Sequence, residues 1–172
     1  MSLLSFLKSP QPDSLAFDAD SGVLYSPCSG RTISMQELPD PVFASGMMGK
    51  AVGVWPDNGI VYAPVSGKVT TDMPHAIGIE SDGIEVLVHI GVDTVNMAGS
   101  GFDLQVRRGE SVRAGDVLLT FDRARVAKAG YSDVVMTIVM NTSEIESTGG
   151  VIETVSDGVV GAGDSLMRVM TS

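Results

Sequence analysis

The stretch Ile84-Glu85-Val86-Leu87-Val88-His89-Ile90-Gly91-Val92-Asp93-Thr94-Val95 decides how this chain is expected to fold. Its valines and isoleucines recur at every second position, the period of a strand covered on one face. Val86, Val88, Ile90 and Val92 fall on one side and read as core. Glu85, Leu87, His89, Gly91 and Asp93 fall on the other, where an imidazole and carboxylates stand among apolar side chains. A titratable ring is a poor filler for a sheet interior. The second face therefore reads as a recognition surface with chemistry at its centre.

The chain has two histidines, and the other is His75. Between them, Ser81-Asp82-Gly83 is a hairpin signal, with glycine where a positive φ is needed. A three-residue loop pairs Glu80 with Ile84 and, counting outward, His75 with His89. The two Cβ atoms are then about 4.5–5.5 Å apart on one face, with Ile77 beside them and Ala76 and Gly78 on the core side. A two-residue loop shifts the register by one and sends the rings to opposite faces. The geometry of the pair is conditional on that loop.

Working outward, 20 glycines and 8 prolines separate short runs of Val, Ile, Leu and Thr, the pattern of many strands joined by turns. Only Arg123 to Ala129 and the segment around Ser143-Glu144-Ile145 suggest helix, about two turns each at most. Two internal echoes stand out. Leu24-Tyr25-Ser26-Pro27-Cys28-Ser29-Gly30-Arg31 recurs as Val61-Tyr62-Ala63-Pro64-Val65-Ser66-Gly67-Lys68, and Val112-Arg113-Ala114-Gly115-Asp116-Val117-Leu118 as Val160-Gly161-Ala162-Gly163-Asp164-Ser165-Leu166. Duplicated strand–turn–strand units predict an all-β fold, a compact antiparallel β-sandwich or barrel with an internal pseudo-repeat.

The length of 172 residues fits one domain, expected over residues 21–172 behind a flexible N-terminal tail, 1–20. A net charge of -10 opposes binding to nucleic acid or an anionic membrane and suits a basic docking partner. The single cysteine, Cys28, excludes an internal disulfide and agrees with a reducing compartment. Without an apolar run of roughly 18 residues or a convincing signal peptide, the expected location is the cytoplasm. Leu3, Leu4, Phe6 and Leu7 can form one apolar helical face, so the tail offers a weak membrane contact, with only Lys8 to attract anionic lipid.

VLVHIGVDTVNMAGSGF, with HAIGIESDG upstream, closely resembles the IIA component of the glucose-type bacterial phosphoenolpyruvate:sugar phosphotransferase system. The likeness continues through ELPDPVFASGMMG, APVSGKV, VRAGDVLLTFD and IVMNTSEI, covering roughly residues 24–170. The resemblance implies a compact antiparallel β-sandwich of the duplicated hybrid motif type. It also implies a phosphotransferase without cofactor. His89 would take a phosphoryl group on Nε2 from the histidine-containing phosphocarrier protein (HPr) and pass it to a cysteine on the IIB domain of a sugar permease (IIBC).

By the same resemblance, His75 orients and charge-stabilises the phosphoryl group without receiving it, and Gly91 keeps the backbone close to it. Asp40 and Asp93 match rim carboxylates that meet a basic residue on the donor. Phe43, Met47, Met48, Ile77, Leu87 and Val95 match a docking patch, where methionines suit a surface that accepts more than one partner. Contact with the membrane is expected through the permease. The family usually places a threonine two or three residues before the first histidine; here Met73 stands nearest, and Thr71 replaces it only if the loop folds back.

Two other readings use the same residues. A regulatory protein of this family binds permeases or kinases according to its phosphorylation state. A zinc hydrolase would use both histidines, but it needs a third protein ligand and an open position. No His-x-His supplies them. No metal is required by the carrier reading, although His75 and His89 can share zinc with a partner. Lys68 follows a turn glycine but lacks the methionine neighbours of a biotin- or lipoate-carrying lysine.

Overall fold

The computed structural model describes residues 11–172. The apolar face expected at Leu3, Leu4, Phe6 and Leu7 lies outside the described residues. Within the segment expected as a tail, Leu15 N–H donates to the Gly115 carbonyl at 2.9 Å, and the Phe17 ring lies 4.7 Å from that of Tyr25.

The described chain is all-β and antiparallel, with three short helices. Its strands are β1 (Val23–Tyr25), β2 (Gly30–Ser34), β3 (Lys50–Pro56), β4 (Ile60–Tyr62), β5 (Gly67–Met73), β6 (Ala76–Ser81) and β7 (Ile84–Ile90). They continue as β8 (Phe102–Leu104), β9 (Ser111–Val112), β10 (Val117–Phe121), β11 (Val135–Val139), β12 (Val151–Thr154), β13 (Val159–Val160) and β14 (Ser165–Met170). One eight-stranded sheet runs β13-β2-β3-β11-β7-β6-β5-β9, and two three-stranded sheets run β1-β14-β12 and β4-β10-β8.

The sequence echoes are structural repeats. In the first, β1 and β2 flank one Pro-x-Ser-Gly turn, and β4 and β5 flank the other. In the second, β9 and β10 correspond to β13 and β14. The pairings match as well: β1 with β14 and β2 with β13 in one half, β4 with β10 and β5 with β9 in the other. Tyr25 N–H donates to the Pro64 carbonyl at 2.9 Å, and Tyr62 N–H reciprocates to Pro27 at 2.8 Å. Ser66 and Ser29 hydroxyls accept from Ala114 and Ala162 N–H, each at 2.9 Å. Both Ala-Gly-Asp turns are closed by the aspartate side chain, which accepts from Arg113 N–H in one and Gly161 N–H in the other. Each turn residue thus satisfies a loop donor that would otherwise be left unpaired.

The two expected helices are α2 (Arg123–Lys128) and α3 (Thr142–Ser147). A further single turn, α1 (Pro41–Ala44), is too short to show periodicity, but its start is written locally. Asp40 accepts from Val42 and Phe43 N–H, and Pro41 takes the first helical position, where no N–H is needed.

The hairpin between β6 and β7 corrects the three-residue-loop register. Ser81 pairs with Ile84, so the loop is Asp82-Gly83, with φ of 47° and 83°. Two consecutive positive φ values make the turn whose twist matches the flanking strands, and Asp-Gly is its preferred sequence. The shift moves Ile77 opposite Val88, where it is wholly buried in the main core with Val52, Val86 and Ile90. Ile77 therefore supports the fold and cannot line a docking patch. Conversely, Ala76 and Gly78 leave the core side and lie beside His89 and Leu87. Cys28 is also core: burial pushes its thiol up to about 12, with smaller contributions from Asp57 and Asp133, which keeps it protonated and unreactive.

Candidate functional site

His89 sits on β7 in the middle of the large sheet, within a cross-strand row that reads Met73, Ala76, His89, Met136, Gly53, Ile33. The parallel row through Leu87 reads Thr71, Gly78, Leu87, Ile138, Ala51. Small residues recur along both rows, and each makes room. A Cβ on Gly53 would lie 2.7 Å from Leu38 Cδ2, and one on Gly78 would lie 2.8 Å from Thr70 Oγ1. Leu38, Met136, Ile138, Ala51 and Val134 form a second apolar cluster on this face. Phe43, Met48, Leu87 and Val92 pack against it, half-buried. The segment leading into and through α1 therefore roofs part of the sheet and brings Phe43 to within 5.0 Å of the His89 ring.

The two histidine rings do meet, with centroids 5.3 Å apart and planes nearly perpendicular at 78°. Strand alternation is not the cause, since in the observed register it would set them on opposite faces. His75 lies outside β6, in the Pro74-His75 turn that joins β5 to β6. There its side chain escapes the two-residue alternation, while its carbonyl still accepts from Ile90 N–H at 2.8 Å. His75 is 8% exposed, so the turn folds it under the site rim.

Among the described residues, one hydrogen bond fixes the His89 ring. Its Nδ1 lies 2.9 Å from the Gly91 carbonyl, an acceptor without a proton of its own, so Nδ1 carries the hydrogen and Nε2 keeps the lone pair. Burial lowers the pKa of His89 to about 4, and the neighbouring His75 adds to the fall. The Gly91 carbonyl and the Asp40 carboxylate pull weakly the other way. Burial lowers His75 as well. The pair is therefore two neutral imidazoles at neutral pH, with Nε2 of His89 unprotonated.

That shift has a measurable sign. Between about 6.5 and about 4, an unfolded chain protonates His89 while the folded protein does not. Folding stability should fall as the pH drops through that window and stop responding to His89 below it. The imidazole Cε1–H resonance of His89 is expected to titrate near pH 4. A midpoint near 6.5 would contradict the buried, neutral ring.

Around the pair, the other sequence-predicted residues divide. Met47 and Val95 are the most exposed apolar side chains of the set, at 78% and 57%. Asp40 is engaged as the cap of α1 and still near enough to influence His89. Asp93 is exposed in left-handed backbone at φ 61°, a conformation that aspartate tolerates. Gly91 is required on internal grounds: its φ is 75°, and a Cβ there would lie 2.4 Å from Thr94 Cγ2 and 2.5 Å from the Ser132 carbonyl. Thr71 shares the face of His89 but, among the described residues, no hydroxyl bonds either histidine ring.

Sequence reasoning missed exposed Val42 and Met73 as parts of the patch, and Met136 as the floor beside His89. Met73 was legible as a turn-flanking residue at even spacing from Thr71, whereas Val42 sits in a single helical turn with no periodic signal.

Comparison with known proteins agrees with this architecture. The model of the family described as phosphoenolpyruvate-dependent sugar phosphotransferase system, EIIA 1, matches residues 22–145. The glucose-specific EIIA component of Staphylococcus epidermidis is 39% identical over 127 residues, 72% of this chain and 76% of that protein. The β-glucoside-specific EIIBCA component of Dickeya chrysanthemi is 41% identical over 150 residues, 86% of this chain and 23% of that longer protein. The solved glucose permease IIA of Mycoplasma capricolum superposes with a TM-score of 0.76 at 34% identity, covering 90% of this chain and 99% of that one. With the duplicated antiparallel fold and the paired histidines at its sheet centre, the chain belongs to the glucose family of EIIA components of the phosphoenolpyruvate-dependent sugar phosphotransferase system.

Proposed function

We propose that this protein is a phosphoryl carrier acting in the cytoplasm, with His89 as acceptor, HPr as donor and the IIB domain of a sugar permease as recipient. The observation that carries the reading is the Nδ1 contact with Gly91, which leaves Nε2 as the nucleophile in a ring kept neutral by burial. In the first step the Nε2 lone pair attacks the phosphorus of the donor's phosphohistidine. The donor N–P bond breaks as the new one forms, and the proton stays on Nδ1, donated in a hydrogen bond to the Gly91 carbonyl. In the second, a cysteine thiolate attacks phosphorus, an S–P bond forms, and Nε2 recovers its lone pair. β-Glucoside-specific EIIBCA components among the relatives support the choice of a IIB recipient.

His75 stabilises the group in transit. A neutral imidazole beside His89 offers one N–H to a phosphoryl oxygen, and the arriving negative charge favours protonation of His75, turning it into a counter-ion. Phe43, Met48 and Leu87 keep the docked site dry, which protects a labile N–P bond from water. A closed zinc site would need further ligands from a partner, since the pair offers two nitrogens. Labelled phosphoenolpyruvate, the general phosphotransferase enzymes and mapping of the modified residue test the reading. Label on His89 supports it, and label elsewhere overturns it.

The rim carboxylates give a second test. Asp40→Asn with Asp93→Asn leaves the α1 cap and the left-handed turn intact, because asparagine serves in both. Rim charges act on encounter and are screened over roughly 8 Å at physiological salt. The double variant should be phosphorylated about 3- to 10-fold more slowly at limiting donor, with a weaker salt dependence. At saturating donor it should be nearly native. Initial rates against donor concentration at two salt concentrations decide this. An unchanged rate at limiting donor removes the docking role, and a collapse at saturating donor moves a carboxylate into the chemical step.

A further inference from the structure

The geometry points to Thr94 as the positioning residue of this site, whose hydroxyl locks the Ile90-Gly91 backbone that orients both histidines. Thr94 is 1% exposed and opens the short 3₁₀ turn Thr94–Met97 beyond β7. Its hydroxyl donates to the Ile90 carbonyl at 2.5 Å. That carbonyl points toward the side of β7 where β6 has just ended, so the hydroxyl takes up an acceptor at the point where the ladder stops. The N–H of the same residue, Ile90, donates to the His75 carbonyl. One peptide segment therefore joins Thr94 to the backbone of His75.

The segment held by this hydroxyl also acts on His89. The Thr94 methyl fills the side of Gly91 that a Cβ would occupy, where the space ends 2.4 Å from Cγ2. Gly91 N–H is tied to the Val134 carbonyl at 2.7 Å, and Val92 N–H to Ser132 at 3.3 Å. Between Thr94 on one side and the 132–134 segment on the other, the Gly91 peptide has one available orientation. Its carbonyl is the acceptor for His89 Nδ1. Thr94 thereby sets which ring nitrogen is protonated, without touching either ring or the transferred group. A glycine followed by an exposed left-handed Asp93 would otherwise have several peptide orientations open to it.

This inference builds on the reading of His89 as acceptor, but its main readout does not depend on transfer. Nitrogen-15 NMR of the neutral His89 ring reports the tautomer directly. Native protein is expected in the Nδ1–H form. Thr94→Val keeps the shape and removes the hydroxyl. The Nε2–H population should rise at least about threefold, and kcat for phosphoryl acceptance should fall about tenfold with the donor KM nearly unchanged. Thr94→Ser, which restores the hydroxyl, should return both values to within about twofold of native. A purely structural role would lower thermal stability without moving the tautomer.

A folded Thr94→Val protein with native tautomer and kcat overturns the proposal. Should that variant fail to fold, Thr94→Ser decides the matter: retained Nδ1–H and kcat support the hydroxyl's role, and a shift to Nε2–H overturns it. A tautomer shift in Thr94→Val, in a protein whose native form takes no label on His89, overturns the carrier reading and leaves the positioning role standing.

Discussion

His89→Gln should take no phosphoryl group from the donor, a loss of about 10⁴-fold or more in acceptance, to the background of the assay. Glutamine fits the half-exposed position and can still hydrogen bond, but its amide nitrogen has no free lone pair to attack phosphorus. The variant is expected to fold normally, because His89 lies on the half-covered face and contributes nothing to the main core. His75→Gln provides the contrast. It should accept phosphoryl at a rate within about tenfold of native yet pass it on slowly, since only the charge beside the transferred group is lost. Quench-flow labelling from phosphorylated donor, followed by addition of the IIB domain, separates the two steps. Native labelling of His89→Gln would remove His89 as acceptor. Equal loss of acceptance in both variants would merge the roles of the two rings.

Gly91→Ala is expected to be the most damaging single change for structure and site together. The added Cβ has to occupy backbone at φ 75° and lies 2.4 Å from Thr94 Cγ2 and 2.5 Å from the Ser132 carbonyl. Left-handed strain costs about 1–3 kcal/mol and enforced repacking another 1–3 kcal/mol. At about 2–4 °C per kcal/mol for a domain of this size, the melting temperature should fall by roughly 5–20 °C. Relief by peptide rotation would swing the carbonyl away from His89 Nδ1, so acceptance should fall even well below the melting temperature. Calorimetry and the labelling assay on one preparation check both. Native stability would show that the backbone here is not confined.

The strand Ile84–Ile90 was readable from residue order, because two-residue alternation is a local rule, whereas the single turn α1 was not read, being too short to show periodicity. The same holds for the duplication. Pro-Cys-Ser-Gly and Pro-Val-Ser-Gly form equivalent turns, and the matching Ala-Gly-Asp turns lead into β10 and β14. The centre of the candidate site was legible too: a strand histidine on the face of Leu87, with one other histidine nearby in the chain.

Register was not. Asp82-Gly83 and Ser81-Asp82-Gly83 are both plausible loops in isolation, and they differ by one residue, which reverses the faces of Ile77 and Ala76. The choice depends on the twist that β7 shares with β11 on one side and β6 on the other, and on the room that Gly78 leaves for β5. His75 reaches His89 in spite of that register because the Pro74-His75 turn takes it off the strand. Local sequence by itself determined a duplicated antiparallel β fold with a histidine on its open face. The tertiary structure alone decided which neighbours share that face, because a face belongs to a strand only once both of its partners have set its register.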